Sequence, residues 1–132
     1  MIVGIGTDIV KVARLEKGVQ RFGQRFVAKI LNEEEMRQCN LKACSVGCLA
    51  RRFAAKEAFV KALGTGMAQG IWFTDIQVVH DLSGRPGLVF FGEAQRRLAR
   101  LGPLNVHLSI SDEKEFAVAF VVLETQAEGG TR

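Results

Sequence analysis

The stretch from Ser45 to about Leu63 most limits how this chain can fold. Ser45 suits a helix N-cap, and Gly64 suits the C-terminal end of the same helix. With Phe53 placed at zero and about 100° per residue, Val46, Leu49, Ala50, Val60 and Leu63 fall within roughly 80° of it. That defines a core face. Glu57 lies about 40° from Phe53, inside the apolar stripe, and Lys61 follows one turn later at its edge. A carboxylate on such a stripe is costly unless it is paired or binds a metal. Two readings stand side by side: an internal Glu57–Lys61 pair at i, i+4, or a ligand facing something still unnamed.

The segments around this helix set the fold class. Ile2–Val10 is rich in β-branched residues and reads as a strand. Val12, Leu15, Val19 and Phe22 recur at helical spacing, and Phe26, Ile30 and Leu31 resume the pattern after Gly23. Asn32 followed by Glu35 marks another helix start. Beyond Gly64, Ile71–Val79 and Gly87–Phe91 read as strands around an Asp81–Gly84 turn, and Glu93–Leu101 as a short helix. Leu104–Ser111 and Phe116–Leu123 read as two further strands. Helices first and strands later predict an α+β fold, with a mostly antiparallel sheet packed on the long helix. With 132 residues, 1–124 make one domain and 125–132 a flexible polar tail.

Composition removes several classes. Apolar residues make up 48 % and charged residues 24 %, which is globular rather than disordered. No apolar stretch is long enough to span a membrane, and Met1–Val10 has neither the basic nor the long apolar region of a signal peptide. A cytoplasmic protein is expected. Cys39, Cys44 and Cys48 are odd in number and form no C-x-x-C pair, so reduced thiols are expected. The net charge of +4 favours an anionic partner without choosing one.

Three further patterns bear on chemistry. Gly4, Gly6 and Asp8 share one face of the first strand. Two glycines there leave room for a ligand or for a closely packed helix. Asp8 with Glu57 would supply hard oxygen ligands of the kind magnesium uses. Asn105, His107, Ser109 and Ser111 share one face of a later strand, either as a solvated surface or as a wall of hydrogen bonds for an anion. Arg14, Lys17 and Arg21 line one side of the first helix, either solvated or as a docking surface for acidic groups. Arg51, Arg52 and Lys56 add positive charge to the long helix. Gly64-Thr65-Gly66 is no Walker loop, because no Gly-Lys-Ser/Thr follows.

Taken together, these segments resemble a known family. Gly4-Ile5-Gly6-Thr7-Asp8-Ile9-Val10 with Arg14 is similar to the opening motif of the bacterial holo-acyl-carrier-protein synthases, which are small phosphopantetheinyl transferases. Arg52-Phe53-Ala54-Ala55-Lys56-Glu57-Ala58 followed by Lys61-Ala62-Leu63-Gly64-Thr65-Gly66 resembles their second signature, and His107-Leu108-Ser109-Ile110-Ser111 their third. Lys11 and Asp112 depart from the common pattern, where many members carry Glu and His. The resemblance implies the phosphopantetheinyl transferase fold. It also implies transfer of 4′-phosphopantetheine from coenzyme A, a substrate, to a serine of apo-acyl carrier protein in support of fatty acid biosynthesis. The by-product would be adenosine 3′,5′-bisphosphate. Asp8 and Glu57 take the place of the family's Mg²⁺ ligands. Lys61 would steady the pyrophosphate, Glu57 or a water held by the metal is the candidate base, and Arg52, Gly64, His107 and Ser109 would line the coenzyme A site. Arg14, Lys17 and Arg21 would meet the carrier protein. Family members of this size usually form homotrimers with sites between subunits.

A small basic nucleic-acid-binding module is the competing reading. It lacks the aromatic display of an RNA-recognition sheet, since the chain has no Tyr and one Trp, Trp72, and it leaves Glu57 unexplained. A carrier-protein binder without catalysis is a third reading, weakened by the presence of both acids. The expectation is no nucleic-acid partner and no membrane partner.

Overall fold

Alternation of apolar and small residues builds the first layer. In the computed structural model, described for residues 1–39, 46–64 and 70–126, strand β1 (Ile2–Lys11) pairs antiparallel with β5 (Phe116–Thr125), and β5 with β4 (Leu104–Asp112). Their inner faces meet in register: Gly6 lies opposite Val121, which lies opposite Leu108, and Asp8 lies opposite Ala119, which lies opposite Ile110. Ala117, Ala119, Val121 and Leu123 are buried there. Helix α4 (Val46–Leu63) lies across this face. A second, two-stranded antiparallel sheet pairs β2 (Ile76–His80) with β3 (Pro86–Phe90). The predicted α+β class with an antiparallel sheet on a long helix is the observed one.

Helices α1 (Val12–Phe22), α2 (Gln24–Ile30), α3 (Glu33–Gln38) and α5 (Gly92–Arg100) complete the chain. Gly23 separates α1 from α2 at a φ of 62°, which a side chain would resist. Asn32 and Glu35 form a full capping box at the start of α3. The strand expected over Ile71–Val79 begins only at Ile76, because Phe73–Asp75 folds into a 3-10 turn. Thr125 closes β5, where its N–H donates to the Met1 carbonyl at 2.9 Å, and the Gln126 N–H donates to the Pro103 carbonyl at 3.1 Å. Ser45, Cys44, Thr65, Gly66 and residues 127–132 lie outside the described residues.

Two expectations need correction. Cys39 and Cys48 are joined in a disulfide, linking the end of α3 to the first turn of α4. Their Cα atoms lie 5.6 Å apart, within bridging range, and linear spacing gave no sign of that approach. The burial of α4 is also rotated from the expected one. Leu49, Ala50 and Val60 are buried as predicted, but so are Arg52, Ala55, Ala58 and Phe59 on other sides, and Lys56 within the expected face. Phe53, the expected centre, is half-buried on an open seam, and Arg52 and Lys56 are interior rather than surface charge. A helix covered on nearly every side has no single apolar stripe to read.

Candidate active site

The glycines of β1 admit a helix, not a ligand. A Cβ on Gly4 would collide with the Ala62 carbonyl. One on Gly6 would collide with the Ala58 carbonyl and lie 2.7 Å from the Ala62 nitrogen. The α4 backbone therefore rests against β1, and this contact brings the next inward residue of the strand, Asp8, to the helix side that carries Glu57 and Lys61.

Lys61 turns across the gap. Its Nζ donates to the Asp8 carboxylate at 3.0 Å and to the Thr7 carbonyl at 3.0 Å. The internal Glu57–Lys61 pair is thus replaced by a bridge between helix and strand. Glu57 makes no hydrogen bond or ion pair among the described residues. Burial pushes its pKa upward, and the nearby negative charge of Asp8 pushes it the same way, while Lys61 and Arg14 oppose both. Two carboxylates facing one seam, one of them without a hydrogen-bond partner, form a hard oxygen donor set that fits a divalent cation completed by water or phosphate oxygens.

Arg14 also reaches this seam. Its guanidinium lies 5.9 Å from the centre of the Phe53 ring, which packs edge-on against Phe73 at 5.5 Å. The basic side of α1 is therefore graded. Arg14 leans toward Glu57, Lys17 is exposed, and Arg21 lies over Phe22 at 5.3 Å.

The other candidates are not brought to Asp8 and Glu57 within this chain. Arg52 lies about 140° around α4 from Glu57. It is buried, donating to Cys48 Sγ at 2.9 Å and to Gln38 Oε1 at 3.0 Å. His107 and Ser109 stand on the outer face of the sheet, since His107 lies opposite Val122 and Ser109 opposite Phe120. His107 Nε2 lies 2.9 Å from Glu124 Oε1. Gly64 ends α4 at a φ of 78°, with open space where a Cβ would sit.

One buried cluster had no sequence signal beyond helix capping. Glu35 Oε1 accepts Lys56 Nζ at 2.6 Å and the Asn32 N–H at 3.1 Å, and its Oε2 accepts the Val78 N–H at 2.9 Å. Lys56 Nζ also donates to the Ile30 carbonyl at 2.5 Å. Burial pulls the Lys56 pKa down, and Glu35 opposes that pull.

The family model of the 4′-phosphopantetheinyl transferase superfamily matches residues 4–121. The chain belongs to that superfamily. Its likeness to the holo-acyl-carrier-protein synthases is close. It is 51 % identical over 125 residues to the holo-acyl-carrier-protein synthase of Halorhodospira halophila, covering 95 % of this chain and 99 % of that one. The crystal structure of the Neisseria meningitidis holo-acyl-carrier-protein synthase superposes with a TM-score of 0.88 at 42 % identity, over 95 % of this chain and all of that one (100 %). A Bacillus anthracis holo-acyl-carrier-protein synthase solved in complex with CoA (3′,5′-ADP) superposes with a TM-score of 0.78 at 42 % identity, over 96 % of this chain and 99 % of that one. This phosphopantetheinyl transferase is therefore an enzyme of the holo-acyl-carrier-protein synthase type, and the Asp8–Glu57–Lys61 seam is its candidate active site.

Proposed function

We propose that this enzyme transfers 4′-phosphopantetheine from coenzyme A to a serine of apo-acyl carrier protein, in a Mg²⁺-dependent reaction that serves cytoplasmic fatty acid biosynthesis. The observation that carries the site assignment is the meeting of Asp8, Glu57 and Lys61 at one half-open seam, in a chain whose relatives are holo-acyl-carrier-protein synthases. Asp8 and Glu57 would hold the cation. Bound there, it would neutralise charge on the pyrophosphate oxygens and on the departing phosphate.

The remaining chemistry belongs to the chain's own groups. The serine Oγ attacks the β-phosphorus, a new P–O bond forms, and the bond to the adenosine 3′,5′-bisphosphate leaving group breaks. Glu57 accepts the serine proton, as the half-buried seam carboxylate that no hydrogen bond or ion pair occupies among the described residues. Lys61 is half exposed on a long stem, so its ammonium can leave Asp8 and follow the phosphates. Arg14 and the Lys17–Arg21 side of α1 present positive charge to the acidic carrier protein beside the seam.

Assembly bears on the distant candidates. The outer sheet face exposes Ile5 at 60 %, Ile9 at 62 % and Phe120 at 44 %. Second copies of this chain would cover that face, in a homotrimer. His107 and Ser109 share the face, so packing around it would carry them toward a neighbour's Asp8–Glu57 seam, where they, Arg52 and Gly64 would line the coenzyme A site. The test is the intact mass of apo-acyl carrier protein after incubation with enzyme, coenzyme A and Mg²⁺. One phosphopantetheine adduct, lost with chelator and with Asp8→Ala, is expected. Absence of the adduct from folded enzyme that binds the carrier would overturn the proposal.

A further inference from the structure

We infer that Glu35 and Lys56 are positioning residues for the active site: their buried ion pair sets the roll of α4 and so holds Glu57 opposite Asp8. This rests on the reading of Glu57 as part of the reacting site.

Both side chains are fully buried. A buried ion pair is a poor source of stability, because desolvation offsets the attraction and an apolar pair of the same shape often does as well. Its directionality is the property an apolar pair lacks. Glu35 alone gathers three elements: the cap of α3 through Asn32, β2 through the Val78 N–H, and α4 through Lys56. Lys56 adds a fourth, the end of α2, through the Ile30 carbonyl. Each of these bonds has a fixed acceptor or donor direction, so Lys56 has one place to go.

The opposite side of α4 gives no such direction. There the helix meets Gly4 and Gly6 of β1 with Ala58 and Ala62, a contact of backbone and methyl groups. It sets how close the helix comes, and the Lys61 bonds to Asp8 and Thr7 beside it come from a half-exposed side chain, a looser directional tie than the buried pair. Glu57 directly follows Lys56, and Lys61 lies one turn beyond. A roll of about 20° would shift a carboxylate near the helix circumference by about 2 Å. Misplacement of about 1 Å can lower a rate by about 100-fold. Arg52 supports the arrangement from one turn earlier, its Nε 4.0 Å from the Glu35 carboxylate. The same carboxylate thus faces two buried cations, and losing its charge alone would leave both uncompensated.

The test compares the full-length enzyme with Glu35→Gln/Lys56→Met, which removes both charges and keeps shape and capping, and with Glu35→Asp, which keeps the charge on a shorter stem. Thermal unfolding, kcat, the KM for coenzyme A and calorimetric Mg²⁺ affinity are measured well below the unfolding midpoint. The folded double variant should show kcat at least about ten-fold lower and Mg²⁺ affinity about ten-fold weaker. Glu35→Asp should move both in the same direction. Either folded variant keeping both values within two-fold of the parent overturns the inference. Failure of both to fold at low temperature also overturns it, since the pair would then be needed for folding itself. Glu57→Gln, run beside them, separates the two claims: parental turnover and Mg²⁺ requirement in that variant would defeat the site reading instead.

Discussion

Lys61 pairs with Asp8 on the neighbouring strand, 3.0 Å away, and not with Glu57 one turn back on its own helix. The bridge is half open, with Lys61 exposed at 52 % and Asp8 at 15 %, so it is weak as a structural tie and easily exchanged for a ligand. Lys61→Met should therefore leave the unfolding midpoint nearly unchanged. Its kcat should fall by about 100-fold, the scale for losing one group that stabilises developing charge. Steady-state kinetics beside thermal unfolding check this, and a kcat within a few-fold of the parent would remove Lys61 from the chemistry.

The raised pKa of Glu57 has a definite sign. The folded enzyme binds this proton more readily than the unfolded chain does. Stability therefore falls as pH rises from the ordinary glutamate range through the folded pKa, then levels off. In chelator, Glu57→Gln should abolish that fall and raise the midpoint at neutral pH. Mg²⁺ should stabilise the parent above the folded pKa and have little effect on the variant. Midpoints measured across pH, with and without Mg²⁺, would show it.

Gly6→Ala places a methyl group against the backbone of α4, where neither side can yield cheaply. A loss of about 3 kcal/mol is expected from overpacking. Urea unfolding measures it, and an unchanged midpoint would mean that strand and helix can separate without cost.

The basic side of α1 should divide by position. Lys17→Glu should raise the KM for carrier protein about ten-fold with kcat unchanged. Arg14→Glu should raise that KM and also lower kcat, because Arg14 stands over Phe53 beside Glu57. Coenzyme A affinity should be largely retained in both. Equal loss of coenzyme A affinity in Lys17→Glu would argue against a carrier surface.

A charge on the outer sheet face should oppose assembly. Ile5→Asp is expected to give monomers by light scattering, with the fold retained by circular dichroism and with transferase activity lost. An active monomer would show that each chain carries a complete site.

Local signals are what the amino-acid sequence by itself determined. The alternation in Leu104–Ser111 and Phe116–Leu123, the β-branched run of β1, the Asn32–Glu35 capping box and the glycine at the end of α4 each depend on residues within a few positions of one another. The matching motifs around Asp8, Glu57 and Lys61 identified the family for the same reason, as fixed residues at fixed spacing. Tertiary structure decided what those residues touch. A helical wheel centred on Phe53 could not show which side of α4 faces β1, because alanines and charges surround the helix and its covering comes from β1, β5, α1, β4, α2 and β2. Nor could it show that Lys61 would choose Asp8, 53 positions away, over Glu57, four positions away. The same holds for Glu35 meeting Lys56, for Cys39 meeting Cys48, and for His107 standing on the far side of the sheet from Asp8. Burial, pairing and strand register are set by packing between distant segments, and chain order carries no measure of that distance.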